Sequence, residues 1–286
     1  MKIIAIGDFH GKFPEKLIKK IKKENIDLIL STGDFCGNNE LQKLFFKYAY
    51  GTNKELWEFI GKRKAGLLDK KNFLAGKKIL KKLARLNKKA IGVRGNWDPV
   101  NWQDIGFPGK RDAYSKRFNE LIKKSGLKII DFKNYKFSDY NFVGYPRSTY
   151  PGKVTKHIEK KIRKREGKKA GKVIKKIKED NKKFFKKLRG KFQENTIFIS
   201  HNCPYNTKLD KVKKGVQKGK HYGSWLAKKL VQDLKPFLVI CGHMHENQGK
   251  CRIGKSLIIN PGAAYEGKAA IIEIKKNKVK NVKFLR

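Results

Sequence analysis

Five short polar clusters follow one another along the 286-residue chain, each at the end of a short apolar run. They are Asp8-Phe9-His10 after Ile3-Ile4-Ala5-Ile6, Gly33-Asp34 after Leu28-Ile29-Leu30, Gly95-Asn96-Trp97-Asp98 after Ile91-Gly92-Val93, Ser200-His201 after Ile197-Phe198-Ile199, and Gly242-His243-Met244-His245 after Phe237-Leu238-Val239-Ile240. Short runs rich in β-branched residues predict buried strands, so each cluster falls on a strand-to-loop turn. In open α/β sheets the loops at the carboxyl ends of the strands converge on one crevice. Clusters spread from residue 8 to residue 245 can therefore meet in space. A domain boundary within that span would split the crevice, which predicts one domain over residues 1–286 carrying insertions.

Taken singly, an Asp-x-His or a Gly-Asp after a strand is an ordinary turn. Order and placement supply the specificity: of six histidines, four (His10, His201, His243 and His245) lie in the clusters directly after apolar runs. Aspartate, asparagine and imidazole are the oxygen and nitrogen donors that suit Mn²⁺, Fe and Zn²⁺, and one carboxylate can bridge two such ions about 3.5–4 Å apart. A centre of that kind is suited to attack on phosphate esters.

The succession Asp-x-His, Gly-Asp, Gly-Asn-x-Asp, His, Gly-His-x-His resembles the calcineurin-like metallophosphoesterase superfamily, over residues 7 to 245. The resemblance implies an α/β fold, a four-layer α/β/β/α sandwich with Lys-rich helical insertions. It implies that Asp8, His10, Asp34 and His245 hold one divalent ion and that Asp34, Asn96, His201 and His243 hold a second, with Asp34 as the bridge. Mn²⁺ is the first expectation for both, with Fe, Zn²⁺ or Ni²⁺ as alternatives. The stretch from His221 through Glu246 to Asn260-Pro261-Gly262 further resembles the Icc-like phosphodiesterase branch. The expected activity is hydrolysis of a phosphate ester, a phosphodiester first, by direct attack of a metal-bridging hydroxide.

One position departs from the pattern. Many members carry a histidine between the asparagine and the acidic residue, credited with protonating the leaving oxygen; here it is Trp97. An indole N–H donates a hydrogen bond but gives up no proton near neutral pH, so Trp97 is no general acid. His221, in the turn Gly219-Lys220-His221-Tyr222-Gly223-Ser224 ahead of a helix start, is the candidate for that task or for a phosphate contact. Asp98 is expected to orient a ligand or its loop, or to serve the turn alone. His157, among lysines on an expected helix, is not taken as catalytic, and Tyr145, Arg147, Tyr150 and Tyr205 read as loop packing around prolines.

The formal net charge of +46 predicts non-specific binding to nucleic acid or other polyanions. Residues 153–191 hold nineteen basic against four acidic residues, a local peak of +15, so most of the excess lies elsewhere and is general. Within that segment Val154, Ile158 and Ile162, then Ala170, Val173, Ile174, Ile177, Phe184, Phe185 and Leu188, form apolar stripes, predicting a basic helical insertion that docks by its apolar face. Its partner is left open between its own domain, a second copy in a homo-oligomer, and a membrane surface. Other helices are predicted near 40–49, 53–60, 70–87, 111–125 and 224–234, with strands at 128–130 and 141–144 and a sheet-like carboxyl end at 255–260, 268–274 and 277–284.

The chain starts directly on a strand with Asp8 close behind, no apolar run approaches the ~18–20 residues of a membrane span, and Cys36, Cys203, Cys241 and Cys251 show no Cys-x-x-Cys pairing. A cytoplasmic protein with free thiols is expected, with recruitment of a cysteine to the metals left open. Two rival functions also stay open: a nuclease on DNA or RNA, since the superfamily includes repair nucleases, and a non-catalytic metal-binding scaffold, since the fold also serves protein contact in a retromer subunit.

Overall fold

The computed structural model of the chain describes residues 1–52, 54–101, 112–146, 148–214 and 217–286, apart from the side chain of His157. In chain order the strands are β1 (Lys2–Ile6), β2 (Leu28–Ser31), β3 (Ala90–Gly92), β4 (Leu127–Ile129), β5 (Asn134–Phe137), β6 (Tyr140–Tyr145), β7 (Thr196–Asn202), β8 (Leu238–Gly242), β9 (Gly249–Ile253), β10 (Ser256–Asn260), β11 (Ala269–Lys275) and β12 (Lys278–Leu285). The α-helices are α1 (Glu15–Lys22), α2 (Asn39–Leu44), α3 (Leu56–Ile60), α4 (Lys62–Ala84), α5 (Ser115–Ser125), α6 (Lys156–Glu166), α7 (Ala170–Arg189) and α8 (Trp225–Leu234).

Among the described residues the strands form two six-stranded sheets, ordered β12-β11-β1-β2-β3-β4 and β5-β6-β7-β8-β10-β9. The period-2 alternation of the strands sorts their side chains between two faces. Ile3 and Ala5 of β1 join Leu28, Leu30, Ile197, Ile199, Leu238 and Ile240 in a core between the sheets. Ile4 and Ile6 face the other way, against Leu17 and Ile21 of α1, Ile79 and Leu80 of α4 and Phe118 of α5. Phe198 and Val239 likewise meet Phe184 and Leu188 of α7 and Leu226 and Leu230 of α8. The result is helix, sheet, sheet, helix: the four-layer α/β/β/α sandwich.

Strands β1, β2 and β3 are parallel neighbours in the first sheet, and β7 and β8 in the second. All five clusters therefore emerge at the carboxyl ends of adjacent parallel strands. One detail differs from the sequence reading: Ser200 and His201 lie within β7, which runs on to Asn202 through a register shift between Ile199 and Asn202. A bulge of this kind re-aims a side chain without ending the strand.

Helix boundaries also differ from expectation. α4 begins at Lys62, because Gly61, at φ 80°, breaks the chain direction there. The helix expected over 40–49 changes to a wider π-type turn at Phe45–Ala49. α5 starts at Ser115; the beginning of its expected range, like Arg147, lies outside the described residues. β5 and β9, edge strands with alternating exposure, had no expectation.

The basic segment 153–191 is a helical hairpin, α6 and α7 joined by a single tight turn at Gly167–Lys169. Its two apolar stripes have different partners. Phe184 and Leu188 of α7, both fully buried, dock on the chain's own second sheet, whereas Ile162, Ala170 and Ile174 cluster between the two helices. Tyr145 is likewise a packing residue, fully buried with its hydroxyl donating to Tyr150 O at 2.8 Å. No helix among the described residues is long and apolar enough to cross a membrane. Since Phe184 anchors α7 in the core, Phe184→Ala should cost about 3–5 kcal/mol of stability. Urea unfolding measures it, and an unchanged midpoint would show that the helix is not held there.

Candidate metal centre

Asp8 and Asp34 leave the ends of β1 and β2 with positive backbone angles, φ 52° each, and His10 and His243 do the same at 43° and 66°. Left-handed backbone at a residue with a Cβ is strained, and such positions persist where surrounding contacts over-determine them. Here the loops are stitched together: the Asp8 N–H donates to Gly33 O at 2.9 Å, and the Phe9 and His10 N–H groups both donate to Asp34 O, at 2.9 and 3.0 Å. Gly95 is demanded by close approach. A Cβ there would fall 2.0 Å from Asp34 Oδ1.

Two groups of three ligand-type side chains result, Asp8 with His10 and His245, and Asp34 with His201 and His243. Within each group one donor atom of every residue lies within 4.8 Å of the others. Asp34 Oδ2 stands 3.6 Å from His10 Nε2 and 3.6 Å from His201 Nε2, one imidazole of each group. His10 Nε2 and His245 Nε2 are 3.0 Å apart, and Asn96 Oδ1 is 2.8 Å from His201 Nε2. All seven residues predicted from the sequence are thus brought together.

The electrostatics suit a cation. Asp8 and Asp34 are fully buried, and Asp8 Oδ1 and Asp34 Oδ2 have no hydrogen-bond partner among the described residues. An uncompensated buried carboxylate is unfavourable by several kcal/mol, roughly. Burial, and then the charge of Asp8, push Asp34 well above the usual carboxylate range, while Asp8 resists its own burial through the facing His245 and sits at about 2. Burial pushes His10 down to about 3 and lowers His201 and His243 as well. Neutral imidazole is the ligating form, which burial favours at His10, His201 and His243; at His245 burial also pulls down, but Asp8 outweighs it and raises this histidine.

Several partners of these ligands had no signal in the sequence. His201 Nδ1 faces Thr32 O at 2.7 Å, which fixes its proton on Nδ1 and leaves Nε2 for the centre. The amide of Gln42 lies 2.9 Å from His10 Nδ1, and Ser148 Oγ is 3.0 Å from His243 Nε2. The His243 N–H donates to Asp8 Oδ2 at 2.9 Å, tying the second sheet to the first across the crevice.

Asp98 takes no part in either group. It is buried and accepts from the N–H groups of Gly95 and Cys36, at 2.9 Å each, clamping the loop after β3 onto the loop after β2. The backbone N–H of Trp97 donates to Asp34 Oδ1 at 2.9 Å, and Asn72 of α4 donates to Trp97 O at 3.0 Å. His221 stands apart, joined by no described hydrogen bond to the seven. Its Nδ1 is 2.8 Å from Oδ1 of Asp210, a fully buried carboxylate that also accepts from the N–H groups of Asn206, Thr207 and Gly223. The neighbouring Tyr222 O accepts from Asn202 Nδ2 at 2.9 Å, so this loop borders the centre through β7. All four cysteines are free, and none belongs to either ligand group.

Residues 1–284 match the family described as metallophosphoesterase, calcineurin superfamily. The chain belongs to this family. That membership, with the two ligand groups, supports a metal-dependent phosphoesterase with divalent ions. A solved crystal structure resembles this metallophosphoesterase with a TM-score of 0.65 at 16% identity, covering 99% of this chain and 98% of the other. The protein TT1561 of Thermus thermophilus resembles it with a TM-score of 0.52 at 15% identity, over 99% and 97% of the two chains. These likenesses concern the fold. An uncharacterized protein of Methanocaldococcus jannaschii, MJ1162, is 34% identical over 70 residues, so the match spans 24% of this chain and 31% of that relative.

The clamp has a measurable consequence in this metallophosphoesterase. In Asp98→Asn one of the two backbone N–H groups would face a donor instead of an acceptor, which should cost about 1–3 kcal/mol. Thermal unfolding of the metal-free protein should show the loss. An unaltered melting temperature would mean that the two loops do not depend on this tie.

Proposed function

We propose that the chain is a dinuclear-metal phosphodiesterase built on a single domain, with 153–191 as a helical insertion. Asp8, His10, Asp34 and His245 would hold one ion and Asp34, Asn96, His201 and His243 the other. The observation that carries this reading is Asp34 Oδ2: buried, without a hydrogen-bond partner among the described residues, and 3.6 Å from an imidazole of each ligand group, as suits a bridging oxygen. Mn²⁺ is the proposed metal, on the oxygen and nitrogen donors present.

When bound, two divalent ions supply Lewis-acid polarisation of the phosphoryl oxygens and acidify the attacking water. The residues of the chain prepare the site for that chemistry. Trp97 N–H occupies Asp34 Oδ1 and so turns Oδ2 toward the centre; Thr32 O orients His201; Asn96, a neutral donor, adds no negative charge to weaken attraction for a phosphate. The diester preference is supported by the Icc-like run from His221 to Gly262. It is also supported by a cavity of about 360 Å³ beside Asn96, walled by Phe45, Trp57 and Trp97, which offers room for the second substituent of a diester. His221 Nε2 is the proposed donor to the leaving oxygen or contact to a phosphate, with Asp210 holding the ring from Nδ1.

The tests follow from the roles. Asp34→Asn should abolish turnover and lower metal content, because loss of one carboxylate raises the repulsion between two dications. Full activity with two bound ions would refute the bridge. Mn²⁺ should turn over bis-p-nitrophenyl phosphate in preference to p-nitrophenyl phosphate; the opposite order would overturn the diester assignment. His221→Gln should slow esters with alkyl leaving groups by about 10²-fold or more and p-nitrophenyl esters little, since an acidic leaving group needs no proton. Equal slowing of both would remove His221 from that role.

A further inference from the structure

Nine large apolar side chains stand exposed among the described residues, and seven of them lie between Phe46 and Leu74, in the insertion between β2 and β3. Such concentration marks a surface that binds something rather than ordinary scatter. Five are aromatic: Phe46 is 58% exposed, Tyr50 56%, Trp57 43%, Phe59 41% and Tyr48 37%. Lysines are interleaved with them, Lys47 Nζ lying 4.9 Å from the Tyr48 ring centre, Lys62 5.2 Å from Trp57 and Lys54 5.8 Å from Phe59.

The patch runs into the metal centre. Phe45 and Phe46 stand edge-on to Trp97, at 5.8 and 6.4 Å between ring centres, and Phe46 is 5.3 Å from Tyr50. The backbone N–H of Trp97 donates to Asp34, and the cavity walled by Phe45, Trp57 and Trp97 reaches Asn96. A surface of flat rings and ammonium groups that leads to a hydrolytic site fits a ligand with flat rings and phosphates in alternation. A membrane or a second copy of the chain would need no such continuity with Asn96 and Asp34.

We infer that Phe46, Tyr50 and Trp57, with Lys47, Lys54 and Lys62, form a stacking platform that binds a single-stranded nucleic acid and leads its phosphodiester toward the metal centre. The inference names the substrate class of the proposed phosphodiesterase and rests on that reading. Stacking on an aromatic side chain is sequence-tolerant, and the lysines add the salt-dependent part.

The test separates rings from charge, and binding from hydrolysis. A fluorescein-labelled oligothymidylate, titrated into metal-free protein, should bind with quenching of tryptophan fluorescence. The double variant F46L/Y50L, which keeps apolar bulk and removes two rings outside the metal-binding residues, should bind about tenfold or more weakly. It should keep the wild-type slope of log affinity against log salt. Wild-type affinity in F46L/Y50L overturns the platform, and so does inorganic polyphosphate of equal charge that competes as well as the oligonucleotide. It is also overturned if the variant loses only binding to phosphatidylserine vesicles, or only a dimeric mass in solution, with oligonucleotide binding intact. If ring-dependent binding persists while Mn²⁺-loaded protein fails to cleave bis-p-nitrophenyl phosphate, the phosphodiesterase reading falls and the platform stands.

Discussion

Two carboxylates, Asp8 and Asp34, lie fully buried where the two sheets meet, each with one oxygen that has no hydrogen-bond partner among the described residues. Much around them serves to keep them there. The chain takes left-handed turns at both, Gly33 and Gly95 permit the loops to touch, and the N–H groups of Trp97 and His243 each engage one oxygen, leaving the other turned toward the imidazoles. Hydrophobic burial between the sheets holds the strands on which these turns are built. A divalent ion is the group whose charge suits the pair, which is why family membership and local electrostatics agree.

The same constraint explains the helical wrapping. α4 packs against the loops after β2 and β3, with Gly76 lying against Cys36 and Asn72 bonded to Trp97 O. The insertion that carries α2, α3 and α4 thus both covers the sheet and sets the exposed rings beside the centre. The α6–α7 hairpin does something different: α7 closes the core of the second sheet, and α6 rests on α7, so the most basic stretch of the chain is anchored by its own apolar stripe. An apolar face docked on its own fold is the commonest reason for a basic helix to be amphipathic.

The partners of the ligands were less legible than the ligands themselves. Gln42, Ser148 and Thr32 carry no pattern, because each meets its histidine through a contact set by loop packing and not by spacing along a strand or helix. Asp98 was visible as a turn residue, yet its clamp on Cys36 spans 62 positions. Asp210 passed unnoticed beside His221 for the same reason: its bonds to Asn206 and Thr207 look like any local turn, and only the folded loop returns His221 to it. The segment from Phe45 to Phe59 reads in sequence only as helices near 40–49 and 53–60, and the exposure of its rings comes from the fold.

By itself the sequence determined most of the strands and the seven clustered polar residues, since the patterning of apolar residues and the chemistry of oxygen and nitrogen donors are local properties that survive in one dimension; the sandwich followed only from the resemblance those clusters carry. Tertiary structure alone decided which oxygen of Asp34 is free, which nitrogen of His201 faces the centre, that Asp98 clamps loops, and which side of the insertion is exposed. Those outcomes depend on distances between segments far apart in the chain, where a shift of an ångström separates a hydrogen bond from none.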